Sequence, residues 1–280
     1  MELIDTHCHL HELEGNMSPT YQKWRSDGIE RTSASVLAAA QDAGVKQMIA
    51  IGTTLADSRL AVAFAQAHEG VWASVGIHPH DAAAHDLPDI EQQFRELLTQ
   101  DKVVAVGECG LDYFYTHSPK DVQKRVLAMQ IKAANDHVLP ISFHVRNAFD
   151  DFWPIFDDYV GTRGVLHSFT DTEHHMQQAI DRGLYIGVNG IATFTSDASQ
   201  RAVYVAIPDN RLLLETDAPY LTPKPFRGKM CEPKHVLLTA EFLAELRGQS
   251  LQTVARSTTA NARQLFGLKL INLYHERHHI

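Results

Sequence analysis

The sequence predicts a closed (β/α)8 barrel, and three observations carry that expectation. Short, nearly continuous apolar runs recur eight times along the 280 residues, and stretches with apolar residues at three- and four-residue spacing lie between them. Strands that are apolar on both faces and alternate with helices belong to a parallel sheet covered by those helices. Eight such units suit closure into a barrel, and 280 residues with 44% hydrophobic content fall in the range such barrels occupy as one domain. The runner-up is an open doubly wound sheet. Its nucleotide-binding forms carry a Gly-x-Gly-x-x-Gly turn after the first strand or a Gly-Lys-Ser/Thr phosphate loop, and the sequence has neither.

Taken in order, the strands fall near residues 2–7, 47–52, 71–77, 103–108, 140–144, 164–167, 184–188 and 212–215. Helical spacing marks the intervening residues 35–43, 57–67, 90–98, 121–137 and 172–182, several opening on Ser, Thr or Asp as cap residues. The first connection is the irregular one: residues 10–34 hold Gly15, Pro19, Tyr21, Trp24, Arg25 and Gly28 without a clear period. In a barrel it overhangs the C-terminal face, as a lid that contacts substrate or as a flap that shields the barrel end. No internal repeat or long linker divides the chain, so residues 1–280 are expected to form one domain, with a core ending near 267. The short tail holds His275, His278 and His279 and is expected to be a terminal segment rather than a ligand set.

Composition narrows the function. A net charge of −9 argues against a protein that coats nucleic acid through a general basic surface, while leaving room for a local basic patch. Cys8, Cys109 and Cys231 are odd in number, far apart and form no Cys-x-x-Cys pair, so neither a disulfide framework nor a thiolate zinc site is expected. No apolar run reaches the roughly 18 residues of a membrane span, and the N-terminus has no signal-like pattern. The expectation is a soluble cytoplasmic protein; its oligomeric state is open, with a monomer the simplest case.

The chemistry collects at the strand ends. In Ile4-Asp5-Thr6-His7-Cys8-His9 the alternation of a strand puts His7 and His9 on one side and Cys8 on the other. Two adjacent imidazoles suit a divalent metal, or pack at a barrel rim. Later strands end at Glu108, His144, His167 and Asp217, which a barrel brings together with the first pair. Four histidines and two carboxylates can hold two divalent cations, with Glu108 able to bridge them. Paired cations clamp the attacking and leaving oxygens of a displacement and acidify a shared water, which is hydrolysis chemistry.

The order of these motifs resembles the TatD family of metal-dependent deoxyribonucleases from Ile4 to about Phe266. The stretches that carry the likeness are Asp-Thr-His-Cys-His-Leu (5–10), Gly-Ile-His-Pro-His (76–80), Val-Gly-Glu-Cys-Gly-Leu-Asp-Tyr (106–113), Phe-His-Val-Arg (143–146), Leu-His-Ser-Phe (166–169), Gly-Val-Asn-Gly (187–190) and Leu-Glu-Thr-Asp-Ala-Pro-Tyr-Leu (214–221). The resemblance implies a TIM barrel with a two-metal site for Mg2+, Mn2+ or Zn2+. In it His7, His9, Glu108 and Asp217 hold one ion, and Glu108, His144 and His167 the other. It implies hydrolysis of DNA phosphodiesters, with Asp217 orienting or deprotonating the water. The alternative is a related amidohydrolase-like enzyme acting on a small ester, amide or phosphorylated substrate, since such barrels also open with His-x-His.

Around these six, Glu215 is expected to face inward beside Asp217 and to partner a ligand histidine or the water, and so joins Asp217 and Glu108 as a catalytic candidate. His78 contacts substrate phosphate or packs. His80 lies in the surrounding layer or at the surface. Arg146, two residues past His144, binds phosphate or makes a rim salt bridge. Asp112 and Tyr113 follow Glu108 on a loop. Lys224, Arg227, Lys229 and Lys234 form a basic stretch after the eighth strand that would steer a polyanion, with Tyr220 and Phe226 stacking on a base or simply packing. Departures from the family pattern fall on this substrate side, at Thr170-Asp171 and Met230-Cys231, and in the long first connection.

Overall fold

The computed structural model describes residues 1–15, 18–115 and 117–269; the histidines of the tail lie outside the described residues. The chain opens with β1 (Leu3–Cys8), a 3-10 turn at Leu10–Leu13, α1 (Pro19–Arg25) and α2 (Ser33–Asp42). It continues through β2 (Val45–Ala50), α3 (Leu55–Ala67), β3 (Val71–Val75), α4 (Ile90–Leu98), β4 (Val103–Asp112), α5 (Lys120–Asp136) and β5 (Ile141–Arg146). Then follow α6 (Phe149–Asp157), β6 (Gly164–Leu166), α7 (Glu173–Asp181), β7 (Tyr185–Val188), α8 (Ala198–Ala206), β8 (Leu212–Leu214), α9 (Val236–Arg247) and α10 (Leu251–Phe266). The eight strands pair in sequence order, all parallel.

The barrel closes at a seam between the first and last strands. Cys8 and Ala218 form a parallel bridge, Asp217 N–H donates to the His7 carbonyl at 2.8 Å, and His9 N–H donates to the Ala218 carbonyl at 2.7 Å. Side chains lock the same seam: the buried Asp5 carboxylate accepts from Thr216 N–H at 2.9 Å and from its hydroxyl at 2.6 Å. Burial raises the Asp5 pKa to about 8, because its three donors only partly offset the lost hydration.

Strand alternation sorts the core into two parts. On β2, Met48 and Ala50 join the large cluster with Phe64, Phe94 and Leu127 from the helices, while Ile49, with Ile51 just past the strand, joins a smaller cluster with Ile4, Val165, Tyr185 and Leu213. Val165 and Leu213 stand two residues before His167 and Glu215, so the smaller cluster lies on the face that carries the site and forms its floor. Leu265 and Phe266 of α10 close the cluster from the other end.

The first connection differs from its expected irregularity. Ser18 caps α1 by accepting from Tyr21 N–H, with Pro19 at the first helical position. Trp24 is fully buried and its Nε1–H donates to the His9 carbonyl at 3.0 Å. Thr20 and Tyr220 hydroxyls meet at 3.0 Å and Arg31 donates to Glu232 at 3.0 Å, so the segment is fastened to the loop after β8. β4 also runs to Asp112 rather than stopping at Glu108, which places Asp112 on a strand instead of a loop.

Candidate metal centre

All six side chains expected to meet do so, at the C-terminal mouth of the barrel. β1 delivers His7 and positions His9, whose rings lie 5.3 Å apart edge to face. Glu108 of β4 sits between the histidines. Its Oε2 lies 3.4 Å from His7 Nε2, and its Oε1 lies 3.0 Å from His144 Nδ1, 3.6 Å from His78 Nε2 and 3.9 Å from His167 Nε2. Asp217 Oδ1 is 3.4 Å from His9 Nε2, 3.6 Å from His7 Nε2 and 3.9 Å from His167 Nε2. Asp217 has φ +60°, a conformation rare outside glycine; its N–H donates to His7 while its carbonyl accepts from Tyr220.

A ring of outer contacts fixes which nitrogen of each imidazole faces inward. His9 Nδ1–H donates to the Ile51 carbonyl at 3.0 Å, and His7 Nδ1 meets Ser142 Oγ at 3.3 Å, so both turn Nε2 toward the carboxylates. His167 Nδ1 lies 2.9 Å from Glu215 Oε1, off the hydrogen-bond line but within charge attraction. Glu215 Oε1 also accepts from Ser168 N–H at 2.6 Å. His144 Nε2 and His80 Nε2 both donate to Asp112 Oδ2, at 2.9 and 3.0 Å, leaving His144 Nδ1 toward Glu108.

These residues fit divalent metal. His7 Nε2 is fully buried and has no hydrogen-bond partner, although two carboxylates lie within 3.6 Å of it. His9 has committed its Nδ1 proton to a carbonyl, so its Nε2 lone pair faces the Asp217 carboxylate; two acceptors in that relation call for a cation between them or a proton. Burial opposes charge on these rings, yet the facing carboxylates outweigh it. They raise His9 and His144 to about 9 and His167 to about 10, while His78, with burial dominant, falls to about 3. Burial likewise raises Glu108, but the surrounding imidazoles of His78, His7 and His144 hold it well below the ordinary range.

Donor atoms within 4.8 Å of one another form the groups His7–His9–Glu108, His7–His167–Glu215 and His78–Glu108–His144. The division differs from that expected: Asp217 falls in none of these groups, His78 stands with Glu108 and His144, and His167 groups with His7 and Glu215, stacking on His7 at 3.5 Å between the two halves. A fourth group, His11–Glu12–Asp57, was passed over in the sequence because its members fall in the first connection and at the start of α3. His11 Nε2 lies 2.7 Å from Asp57 Oδ1.

On the substrate side, Arg146 makes no salt bridge among the described residues. Its guanidinium lies over the Phe114 ring at 4.0 Å and near Tyr115 at 5.1 Å, beside a polar cleft of about 140 Å³ lined by Asn147, His167, Ser168 and Asp171. Arg227 is exposed and packs over Phe194 at 5.1 Å rather than against the histidines. Lys234 pairs with Glu232 at 2.7 Å, Phe226 stacks on His235, and the Tyr220 hydroxyl bonds Thr20, so part of that stretch serves packing.

A family model described as TatD related DNase matches residues 4–267. The "Uncharacterized metal-dependent hydrolase YabD" of Bacillus subtilis is 35% identical over 266 residues, covering 94% of this chain and 98% of that protein. The "3'-5' ssDNA/RNA exonuclease TatD" of Escherichia coli is 35% identical over 241 residues, covering 83% and 92%. Among solved structures, YjjV, a TatD homolog from Escherichia coli, superposes with a TM-score of 0.82 at 29% identity, covering 95% of this chain and 98% of its own. Barrel, strand-end histidines and carboxylates, and relatives agree: the chain belongs to the TatD family and is a metal-dependent hydrolase.

Proposed function

We propose that this enzyme hydrolyses phosphodiester bonds in DNA or a related nucleic acid, using two divalent cations drawn from Mg2+, Mn2+ or Zn2+. The observation that carries the reading is Glu108, a buried carboxylate with one oxygen toward His7 and the other toward His78, His144 and His167, the disposition of a bridging ligand. The exonuclease named among the relatives supports nucleic acid as substrate. In this reading His7, His9, Glu108 and Asp217 hold one ion, and Glu108, His144 and His167 the other, with His78 beside it. Bound cations acidify a water and offset charge growing on the phosphoryl oxygens.

The chain's own groups do the rest. Asp217 orients the attacking water and takes its proton. Glu215 keeps the His167 ring aligned, and Asp112 does the same for His144. Arg146 and His78 hold the phosphate, and Arg227 meets the strand farther out. The three unpaired cysteines suit action in a reducing cytoplasm.

Two measurements test this. Metal analysis is expected to find about two divalent ions per chain, and the loaded protein to cleave a 3′-labelled single strand. A His7→Ala, His9→Ala double variant loses metal and cleavage while its circular dichroism is unchanged. Unaltered metal content in that variant would remove the site. Turnover of small esters or amides from a panel, with no cleavage of DNA or RNA, would replace the nucleic-acid reading with the amidohydrolase-like one.

A further inference from the structure

Three aromatic residues follow the end of β4 in succession, and the structure treats them differently. Tyr113 is held: its hydroxyl donates to Asp151 at 2.6 Å and Lys120 covers its ring at 4.1 Å. Phe114 and Tyr115 are 54% and 43% exposed, far more than packing aromatics of a core, and they lie edge to face 4.8 Å apart. Their placement is not that of a slack loop, because Asp112 Oδ1 accepts from the backbone N–H of both, at 2.9 Å each. The other oxygen of the same carboxylate holds His80 and His144. One side chain therefore ties the exposed rings to the metal centre. Tyr115 lies 5.4 Å from the His80 ring, which lies 6.3 Å from His144.

The charge beside these rings points to the occupant. Arg146 is exposed, stacked on Phe114, and without a carboxylate partner among the described residues. A rigid aromatic pair beside an uncompensated guanidinium, one ring away from a site for phosphodiesters, matches a nucleotide: a planar base attached to a phosphate. A peptide would need a backbone-pairing edge or an apolar groove here, and the neighbouring cleft is polar.

We propose that Phe114 and Tyr115 form a stacking platform of two rings at right angles, in which the face left open by Arg146 or His117 stacks an unpaired nucleobase of the strand being cut and the other ring meets it edge-on, with Arg146 on the adjoining phosphate. This rests on the phosphodiesterase reading above and deepens it. The platform makes hydrolysis depend on a base next to the scissile bond and disfavours duplexes, whose base faces are already stacked.

The test uses the metal-loaded enzyme and two readouts. In the first, a single-stranded phosphorothioate oligonucleotide carrying 2-aminopurine reports stacking by fluorescence quenching without turnover. In the second, kcat/KM is measured on a natural strand and on the same strand with an abasic residue beside the cleaved bond. The Phe114→Leu, Tyr115→Leu double variant keeps apolar bulk but has no aromatic face; a Phe114→Tyr, Tyr115→Phe variant keeps both faces and is expected to behave as wild type. The leucine variant should lose the quenching and at least about tenfold in kcat/KM on the natural strand, chiefly through KM, but less than about twofold on the abasic strand. Equal losses on both strands, or quenching that survives in the leucine variant, would overturn the platform. Quenching by wild type without cleavage of any strand would support the platform and sink the phosphodiesterase reading, so the two fail separately.

Discussion

Replacing Asp112 with asparagine isolates the link between outer contacts and metal binding. Oδ1 of Asp112 accepts two backbone N–H groups and Oδ2 accepts from two imidazoles. An asparagine amide has only one way to serve the backbone: its oxygen takes the Oδ1 place, which turns its NH2 toward His80 and His144. The loop survives, but the His144 partner has changed from acceptor to donor. His144 Nε2 must then accept, and the ring proton moves to Nδ1, the nitrogen 3.0 Å from Glu108 and the one that would bind an ion in the proposed site. Loss of such an orienting partner weakens metal binding by roughly 10- to 100-fold, or about 1.4 to 2.7 kcal/mol. Competition titration with a chromophoric chelator measures it, and the loss should fall on one of two ions, the other keeping its affinity. Asp112→Asn protein that binds both ions within about twofold of wild type would refute the tautomer argument.

Three further outcomes follow from particular contacts. Gly187→Ala sets a Cβ 2.4 Å from Glu215 Oε2, the movable end of a side chain; the barrel should persist by circular dichroism while metal affinity drops by about tenfold as His167 loses its partner, and full affinity would contradict the role given to Glu215. His235 accepts Glu232 N–H on Nδ1 and burial lowers its pKa to about 4. The unfolded chain, titrating near 6.5, takes up this proton first, so stability falls as pH drops from 6.5 toward 4, by at most about 3 kcal/mol. His235→Asn keeps the acceptor without titrating and should flatten urea-derived stability over that window; parallel curves for the two proteins would count against it. Trp24→Phe removes the donor to the His9 carbonyl and should cost roughly 1 to 3 kcal/mol in urea denaturation, whereas an unchanged midpoint would show that α1 does not fasten the first connection.

Much of this molecule was legible because two periodicities carry it. Apolar runs of strand length separated by helical spacing gave the barrel, and the period of two placed His7 beside His9 and Glu215 beside Asp217. The end of β4 was not legible. Gly107 and Gly110 flank Glu108 like the ends of a turn, yet the strand continues through a register shift against β5. Gly110 has φ +154°, and a Cβ there would stand 1.8 Å from the His144 carbonyl, so glycine is what lets the two backbones pass. That is why Asp112 was assigned to a loop. Helix α1 announced itself with Ser18-Pro19, a cap followed by an N1 proline, but seven residues are too few for a clear hydrophobic period. Exposure is invisible to pattern, so nothing in the sequence set Phe114 and Tyr115 apart from the motif tyrosine beside them; Phe226, as exposed as Tyr115, lies against His235, and the Tyr220 hydroxyl bonds Thr20.

The seam between β1 and β8 bears on how the enzyme comes into being. Asp217 follows His7 by more than two hundred residues, yet the two are joined by a backbone hydrogen bond. A nascent or prematurely terminated chain that stops short of the eighth strand lacks both the carboxylate and the partner that shapes the first strand. Such fragments should be inert as hydrolases, so that activity is acquired only once the eighth strand has been made and docked beside the first.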